Sequence, residues 1–253
     1  MHNAALAELG LGGEWSYEAI EVAPERFDAL VRSLPGEGFV GVNVTVPHKL
    51  AALAVADRAS AAAHEIGAAN TLSFSGAGIE AENTDAAGVI AALPCPARGL
   101  RALVLGAGGS ARASAWGLRN AGAEVEIWNR TPAKAEALAA ELGVGVTERP
   151  GEFDLLVNAT TVGLGQANER PPAPADLEAF PLDAEAILAR HVVVDLVYGR
   201  HETALVAAVR ERGGRVVDGL EVLACQGAAS LRIWTGVEPP LETMRSAARG
   251  GAG

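Results

Sequence analysis

The apolar and polar positions in the first third of the chain predict short helices mixed with short strands. Residues 39–45 are apolar and β-branched, which is typical of a buried strand. Two further apolar segments, 71–74 and 79–82, flank a Ser-Gly-Ala-Gly turn and predict a hairpin. The elements predicted here are helices over 1–10, 24–34, 48–56 and 60–66, and strands over 15–22, 39–45, 71–74 and 79–82.

The pattern changes after the hairpin, because apolar strands then alternate with amphipathic helices. Such alternation predicts βαβ units and an α/β fold with a parallel, doubly wound sheet. Residues 152–190 are less regular, since three prolines mark a long loop, and 221–248 are helical. The alternating part is predicted to contain strands over 103–105, 124–128, 155–157, 192–196 and 215–217. One predicted helix follows the first of these strands and ends at Asn120, and two others cover 132–142 and 203–212.

These two patterns predict two domains, and a length of 253 residues is sufficient for both. The first is discontinuous and covers 1–85 and 221–253, because the helical end of the chain is expected to pack back on the start. The second covers 86–220. We expect the cleft between them to hold the site.

Composition and charge exclude several classes of function. The chain has 31 acidic and 20 basic side chains, a formal charge of −11, which argues against nucleic acid or an anionic membrane surface as partner. Two cysteines, Cys95 and Cys225, cannot build a disulfide framework or a metal cluster, and they fit a reducing cytoplasm. No apolar run reaches about 18 residues, so neither a membrane span nor a signal peptide is expected.

A glycine-rich turn between a predicted strand and helix indicates a dinucleotide site. In Gly106-x-Gly108-x-x-Ala111, the first glycine permits the tight turn and the second lets the backbone approach a pyrophosphate. The helix that follows would offer unpaired N–H groups to that anion. The βαβ context favours this reading over an ordinary glycine turn.

The end of the next strand indicates which dinucleotide is bound. An NAD enzyme has Asp or Glu there for the ribose 2′-hydroxyl, whereas this chain has Asn129-Arg130-Thr131. An arginine can bind a 2′-phosphate bidentately, and Lys134 follows in the first helical turn. The alternative is that Arg130 and Lys134 form a solvated helix start, but we favour NADP(H).

The other of the chain's two lysines, Lys49, is the candidate acid/base residue. It follows a predicted strand in which Asn43 and Thr45 share one face, and Asp85 stands at the predicted domain junction. Reducing a ketone requires a proton donor, and a carboxylate could hold a lysine ammonium in place for that task. Spacing alone favours the simpler alternatives of a surface helix lysine and an N-cap aspartate.

Taken together, the motifs resemble those of the quinate/shikimate dehydrogenase family. The resemblance extends in order over nearly the whole chain, and the glycine motif is its least specific part. The matching runs are Asn43-Val44-Thr45-Val46-Pro47-His48-Lys49, Gly67-Ala68-Ala69-Asn70-Thr71, Asn83-Thr84-Asp85, Gly106-Ala107-Gly108-Gly109-Ser110-Ala111, Asn129-Arg130-Thr131 with Lys134, Asn158-Ala159-Thr160, Asp195-Leu196-Val197-Tyr198, Asp218-Gly219-Leu220, Gln226-Gly227-Ala228 and Trp234-Thr235-Gly236.

The resemblance implies NADPH-dependent reduction of 3-dehydroshikimate to shikimate, on the route to aromatic amino acids. It makes Lys49 the acid/base residue with Asp85 as its partner, in a substrate domain of 1–85 and 221–253. It makes 86–220 a Rossmann domain for the cofactor. The remaining implied substrate residues are Asn70, Thr45, Tyr198 and Gln226, with Asn43 behind them. The implied cofactor residues are Gly106, Ala107, Gly108, Gly109 and Ser110 at the pyrophosphate, Asn129, Arg130, Thr131 and Lys134 at the 2′-phosphate, and Leu196 and Gly219 at the nicotinamide.

One departure from the family bears on activity. Family members carry a first strand and a Ser-x-Ser element for the substrate carboxylate before the segment that matches Met-His-Asn-Ala-Ala, where this chain starts. We expect that start to be an internal methionine of a longer protein; the alternative is a genuinely shortened form of the enzyme. For the function, the alternatives are a quinate or aminoshikimate dehydrogenase, or an NADP-binding module that is impaired in catalysis because the segment is missing. The exposed sheet edges are compatible with a homodimer.

Overall fold

The structure is a computed structural model that describes residues 1–182 and 187–250. Residues 183–186, within the irregular section, and residues 251–253 lie outside the described part. The first part of the chain contains α1 (His2–Glu8), α2 (Phe27–Ser33), β1 (Gly41–Asn43), α3 (Lys49–Val55), β2 (Arg58–Ala59), α4 (Ala61–Ile66), β3 (Thr71–Ser75), β4 (Gly78–Glu82) and α5 (Thr84–Ala92), with 3-10 turns at Pro24–Arg26 and Leu34–Glu37.

Strands β1 to β4 form a small mixed sheet in the order β1-β3-β4-β2. The predicted hairpin is confirmed, because β3 and β4 pair antiparallel from Thr71 opposite Glu82 to Ser75 opposite Gly78. Helix α4 also ends as predicted, with Gly67 in the left-handed conformation at its C-cap.

Two strand predictions in this part were wrong. The strand predicted over 39–45 is limited to Gly41–Asn43, and it is half-buried rather than buried because β3 is its only partner in the described sheet. The strand predicted over 15–22 forms no ladder. Instead, the Asn3 side chain accepts a hydrogen bond from Tyr17 N at 2.7 Å and donates one to Tyr17 O at 2.8 Å. A side chain therefore satisfies the backbone groups that a neighbouring strand would otherwise bond.

The rest of the chain contains a parallel α/β unit followed by two helices. Its elements are β5 (Arg101–Leu105), α6 (Gly109–Asn120), β6 (Glu124–Trp128), α7 (Pro132–Leu142), β7 (Gly145–Val146), β8 (Leu155–Asn158), α8 (Gln166–Glu169), a 3-10 turn at Pro174–Ala179, β9 (Val192–Asp195), α9 (Ala204–Glu211), β10 (Arg215–Val217), α10 (Gly219–Thr235) and α11 (Leu241–Gly250).

The six strands β5 to β10 form one parallel sheet in the order β10-β9-β8-β5-β6-β7, which confirms the predicted doubly wound architecture. Residues of β5 alternate between the two faces. Val104 packs into one apolar cluster with helices α6 and α7, and Leu103 and Leu105 pack into the other with α9. Strand order reverses between β5 and β8, and in such sheets ligands bind in the crevice at the carboxyl ends of the strands.

Helices α5 and α10 join the two sheets. They pack so closely that a Cβ on Gly88 would lie 2.6 Å from Gln226 Cβ, so only glycine fits at that crossing. The helical C-terminal part packs back on the start of the chain, as predicted, since Met244 is buried with Ala5 and Leu6. In the described part of the chain, no helix has both the length and the apolar character to cross a membrane.

Candidate functional site

An ion pair between Lys49 and Asp85 lies at the centre of the site. Lys49 Nζ donates to Asp85 Oδ2 at 2.6 Å, and the two side chains are only 11% and 16% exposed. Lys49 is the first residue of α3, and Asp85 stands in the first turn of α5, where the helix dipole favours a carboxylate. Asn83 is the N-cap of α5, because its side chain accepts from Ala86 N. The Asp85 carboxylate is therefore available to bind the lysine.

Asn70 connects this pair to α10. Its amide donates to Asp85 Oδ1 at 3.0 Å and to Gln226 Oε1 at 3.1 Å, while its carbonyl oxygen accepts from Thr84 N at 2.7 Å. Asn70 and Gln226 are both buried, with 2% and 9% exposure. Buried amides with these bonds are fixed in orientation, so polar groups from α5, α10 and the start of β3 converge beside Lys49.

Asn43 extends the polar network at the end of β1. Its amide nitrogen donates to Ser230 Oγ at 2.9 Å, and its oxygen accepts from Tyr17 Oη at 3.0 Å. The Tyr17 ring is stacked on the His2 ring with centroids 4.0 Å apart, and His2 Nε2 lies 3.2 Å from Gly227 O. The start of the chain thus supports one wall of the site.

Two other candidate substrate residues differ in their placement. Tyr198 is 44% exposed, and its pKa is raised by partial burial and then by the charge of nearby Asp85. Burial, with a smaller contribution from Tyr198, raises the pKa of Tyr17 to about 12. Thr45 lies two residues beyond β1 with an exposed side chain that makes no hydrogen bond to the described residues. Tyr198 therefore lies near Asp85, whereas Thr45 is not joined to the network.

The glycine-rich turn lies between β5 and α6 and fits a pyrophosphate. Gly106 has φ +116° and a Cβ there would lie 2.8 Å from Ala159 O, so this position requires glycine. Gly108 is the exposed N-cap of α6, and a Cβ on it would meet no atom within 4 Å. Ala107, Gly109 and Ser110 complete the turn. The first N–H groups of α6 have no partner within the helix, so the helix start can bind an anion at this turn.

The predicted 2′-phosphate residues lie beside that turn, because Gly106 N donates to Trp128 O at the end of β6. Asn129 follows Trp128, and its side chain closes the turn by donating to Thr131 O at 3.0 Å. Arg130, Thr131 and Lys134 are exposed, and neither cation makes an ion pair or side-chain hydrogen bond with a described residue. Two unused positive charges and no acidic residue at this position fit a phosphate-bearing dinucleotide.

Leu196 and Gly219, the predicted nicotinamide residues, are in direct contact. A Cβ on Gly219 would lie 2.9 Å from both Leu196 O and Tyr198 Cδ1. Gly219 is the first residue of α10, so the missing side chain lets the loop after β9 pack on the start of that helix. This contact connects a predicted cofactor residue to a predicted substrate residue.

Sequence reasoning missed three side chains of the site. Ser230 is one turn beyond Gln226 on α10, and that spacing could have revealed it, because residues four apart share a helix face. Thr84 stands beside Asp85, and its hydroxyl is 3.0 Å from the Asn70 amide. No local pattern indicated Tyr17, because its contacts are with residues distant in the sequence, among them Asn3, His2 and Asn43.

A buried carboxylate, Asp195, ends β9 directly before the loop that carries Leu196 and Tyr198. It has no cationic partner among the described residues, and its oxygens accept from Thr203 Oγ1 at 2.5 Å, Asn158 Nδ2 at 2.8 Å and Val197 N at 3.0 Å. Burial raises the pKa of Asp195 from 3.8 to about 6, although these hydrogen bonds oppose the shift. The carboxylate holds the loop, and its ionisation destabilises the fold.

We expect Asp195→Asn to change the pH dependence of stability. The folded protein holds this proton more tightly than the unfolded chain, so stability due to Asp195 falls as the pH rises through 3.8 to about 6. The full difference is on the order of 3 kcal/mol. We expect the free energy of unfolding of Asp195→Asn, relative to that of the wild type, to be higher at pH 7 than at pH 4. Urea unfolding at both pH values measures this difference. A pH-independent difference would contradict this assignment.

No group of three or more His, Cys, Asp or Glu side chains within the described ranges could hold a metal ion.

The sequence of this chain is similar to known proteins. Residues 1–72 match the family model for the shikimate dehydrogenase substrate binding domain, and residues 219–249 match that for the shikimate 5'-dehydrogenase C-terminal domain. The chain is 44% identical over 259 residues to a shikimate dehydrogenase (NADP(+)) of Thermus thermophilus, with 98% of this chain and 91% of the relative covered. For the same enzyme of Methanopyrus kandleri the identity is 40%, with coverage of 98% and 88%.

A solved structure has the same architecture. The crystal structure of shikimate 5-dehydrogenase from Thermus thermophilus, in complex with NADP(H) and shikimate, superposes with a TM-score of 0.87 at 42% identity. The superposition covers 98% of this chain and 92% of that one. With identity well above 30% over nearly the whole length, the chain belongs to the shikimate dehydrogenase family.

Proposed function

We propose that this protein reduces 3-dehydroshikimate to shikimate with NADPH, reversibly, as a step towards aromatic amino acids. The observation that carries the proposal is the Lys49 ammonium, held by Asp85 in a largely buried position at the carboxyl end of the parallel sheet. The enzyme names of the relatives support this reaction, and so does the Thermus crystal structure, which is a complex with NADP(H) and shikimate.

Lys49 acts as the acid in the reducing direction. Its ammonium donates a proton to the oxygen of the substrate carbonyl as that oxygen becomes an alkoxide, and it recovers a proton afterwards. Asp85 keeps the ammonium in place and balances its charge, which lowers the cost of burying a cation. In the direction of shikimate oxidation, neutral Lys49 accepts the hydroxyl proton.

The polar side chains around the pair bind the ring substituents of the substrate. Gln226 Nε2 donates one hydrogen bond to Leu223 O, so its second N–H is left for the substrate. Asn70 already donates to Asp85 and Gln226, so it binds a substrate oxygen by exchanging one of these bonds. Tyr198 lies on the loop after β9 and Thr45 after β1, where both offer a hydroxyl from outside the fixed network. Asn43 supports this wall from behind through Ser230 and Tyr17.

The residues around the glycine-rich turn fit NADPH, which supplies the hydride when bound. Gly106 to Ser110 bind the pyrophosphate through backbone N–H groups and the α6 dipole. Arg130, Lys134 and the Asn129–Thr131 turn bind the 2′-phosphate, while Leu196 and Gly219 line the nicotinamide side. We propose 1–85 with 221–253 as the substrate domain and 86–220 as the cofactor domain.

We propose the cytoplasm as the working compartment. Cys95 and Cys225 are both free thiols, which supports the reducing cytoplasm as the working compartment. The homodimer stays a prediction.

The direct test is the loss of NADPH absorbance on addition of 3-dehydroshikimate, with 3-dehydroquinate and NADH as the alternative substrate and cofactor. We expect turnover with 3-dehydroshikimate and NADPH at a kcat/KM well above that of the other combinations. Binding of NADPH, followed by its fluorescence, without any turnover would overturn the enzyme and leave a cofactor-binding protein. A preference for 3-dehydroquinate would reassign the substrate.

A further inference from the structure

A second contact of the Lys49 ammonium is not explained by the ion pair. Lys49 Nζ donates to Ser110 Oγ at 2.9 Å, across 61 positions of sequence and from one sheet's helix to the glycine turn of the other. An ammonium has three N–H donors in fixed tetrahedral directions. Asp85 and Ser110 occupy two of them, so they fix the direction of the third.

The backbone around Ser110 is shaped to receive the lysine. A Cβ on Gly109 would lie 3.0 Å from Lys49 Cβ and 3.1 Å from Lys49 Cδ, so the lysine stem occupies the space that a side chain would fill. Gly109 has no left-handed φ, so this contact and not its own conformation favours glycine, because a Cβ there would displace the lysine stem by a few tenths of an ångström. The glycine-rich turn forms part of the channel in which Lys49 is held.

The Ser110 hydroxyl still has its own hydrogen to donate. It accepts from Lys49, and no described residue accepts its proton, because Ser114 Oγ bonds to Ser110 O and not to the hydroxyl. Ser110 is the second residue of α6, where the predicted pyrophosphate contacts the helix N-terminus. A phosphate oxygen that takes this hydrogen leaves a lone pair of the hydroxyl facing the ammonium.

We propose that Ser110 is a positioning residue for Lys49 which couples cofactor binding to the orientation of the ammonium. The cofactor orders the hydroxyl, the hydroxyl and Asp85 hold two N–H groups, and the third N–H faces the reacting oxygen. This inference rests on the proposed function for the identity of the cofactor and of the proton acceptor. Ser110, a residue of the glycine-rich turn, thereby affects the proton transfer from Lys49.

The kinetic test uses Ser110→Ala, with Ser110→Thr to restore the hydroxyl and Ser114→Ala as the matched control on the same helix. We expect Ser110→Ala to lower kcat about ten-fold at saturating substrates, which is the effect of losing one hydrogen bond to a charged group. The basic limb of the kcat profile should move to lower pH, because the charged lysine loses a partner. Ser110→Thr should restore both, and Ser114→Ala should match the wild type.

The outcomes separate this role from a purely cofactor-binding one. If Ser110→Ala raises the KM for NADPH but leaves kcat and its pH profile unchanged, the inference is wrong. The same holds if kcat falls without a change in the pH profile and Ser110→Thr does not restore it, because that pattern reports general damage to the turn.

A spectroscopic readout keeps the test independent of activity. Since the chain has two lysines, ε-15N-lysine labelling yields two side-chain signals, and Lys134→Arg assigns them. NADPH should move the Lys49 signal in the wild type and in Ser110→Thr, and not in Ser110→Ala. An identical movement in Ser110→Ala would overturn the coupling. A protein that passes this test but lacks turnover would contradict the proposed function alone.

Discussion

Replacing Lys49 with alanine is expected to lower kcat by a factor on the order of 10² or more, while NADPH binds with nearly wild-type affinity. A positioned acid contributes roughly 10²–10⁴-fold to a proton transfer, and the effect is confined to the step in which charge develops on the substrate oxygen. Lys49 is 11% exposed, so water has little access to replace the missing donor. Steady-state kinetics at saturating NADPH and a fluorescence titration of NADPH measure the two quantities separately.

Two variants control this experiment. Leu50→Ala truncates the next residue of α3, whose side chain is 56% exposed, so it reports any general damage to the helix and should retain the wild-type kcat. Asp85→Asn should also lower kcat, and combining it with Lys49→Ala should cost little more than Lys49→Ala alone. Residues that act as one unit are not additive. An equal loss of NADPH affinity in Lys49→Ala would count against the acid/base role.

The parallel sheet could be predicted because its strands and helices satisfy local rules. Strand Glu124–Trp128 and helix Pro132–Leu142 agree residue for residue with the periodicity, since each buries one side against the same core. The glycine turn could be placed because it requires a strand before it and a helix after it.

The small sheet was harder to predict, because its short strands depend on partners distant in the sequence. The apolar run 39–45 has the composition of a buried strand, but burial depends on how many neighbours a strand has, and β1 has only β3. Residues 15–22 have strand-like composition but form no ladder, and Asn3 bonds the backbone of Tyr17 in place of a neighbouring strand. Composition cannot indicate such a contact, because Asn3 lies 14 positions away in the sequence.

The site, like the small sheet, depends on contacts between residues that are distant in the sequence. Spacing alone favoured an N-cap role for Asp85, but Asn83 takes that role and leaves the carboxylate to Lys49. The resemblance selected Lys49, Asp85, Asn70 and Gln226, and the structure brings these four together. The contact from Lys49 to Ser110 joins two motifs 61 positions apart, and neither motif alone indicates it.

Arg130→Ala tests the cofactor assignment, and we expect it to raise the KM for NADPH by about 10- to 100-fold with little change for NADH. A charge-assisted hydrogen bond contributes roughly 1.5–3 kcal/mol. NADH has no 2′-phosphate, so its binding does not include this bond and should not depend on Arg130. Arg130 is exposed and makes no ion pair within the described ranges, so its removal disturbs no other contact there. Steady-state kinetics with each cofactor, at fixed ionic strength because salt screens exposed charges, provide the measurement.

Three further variants define what Arg130 contributes. Arg215→Ala removes an exposed arginine from the amino end of β10, away from the carboxyl edge of the sheet, and should leave both KM values unchanged. Arg130→Lys keeps the charge but not the planar pair of donors, so its effect should be intermediate. Lys134→Ala should weaken NADPH binding in the same selective way, because Lys134 is exposed in the first turn of α7, directly after the Asn129–Thr131 turn. If Arg130→Ala weakens NADPH and NADH equally, then Arg130 supports the turn rather than the phosphate, and the preference for NADPH must come from elsewhere in the pocket.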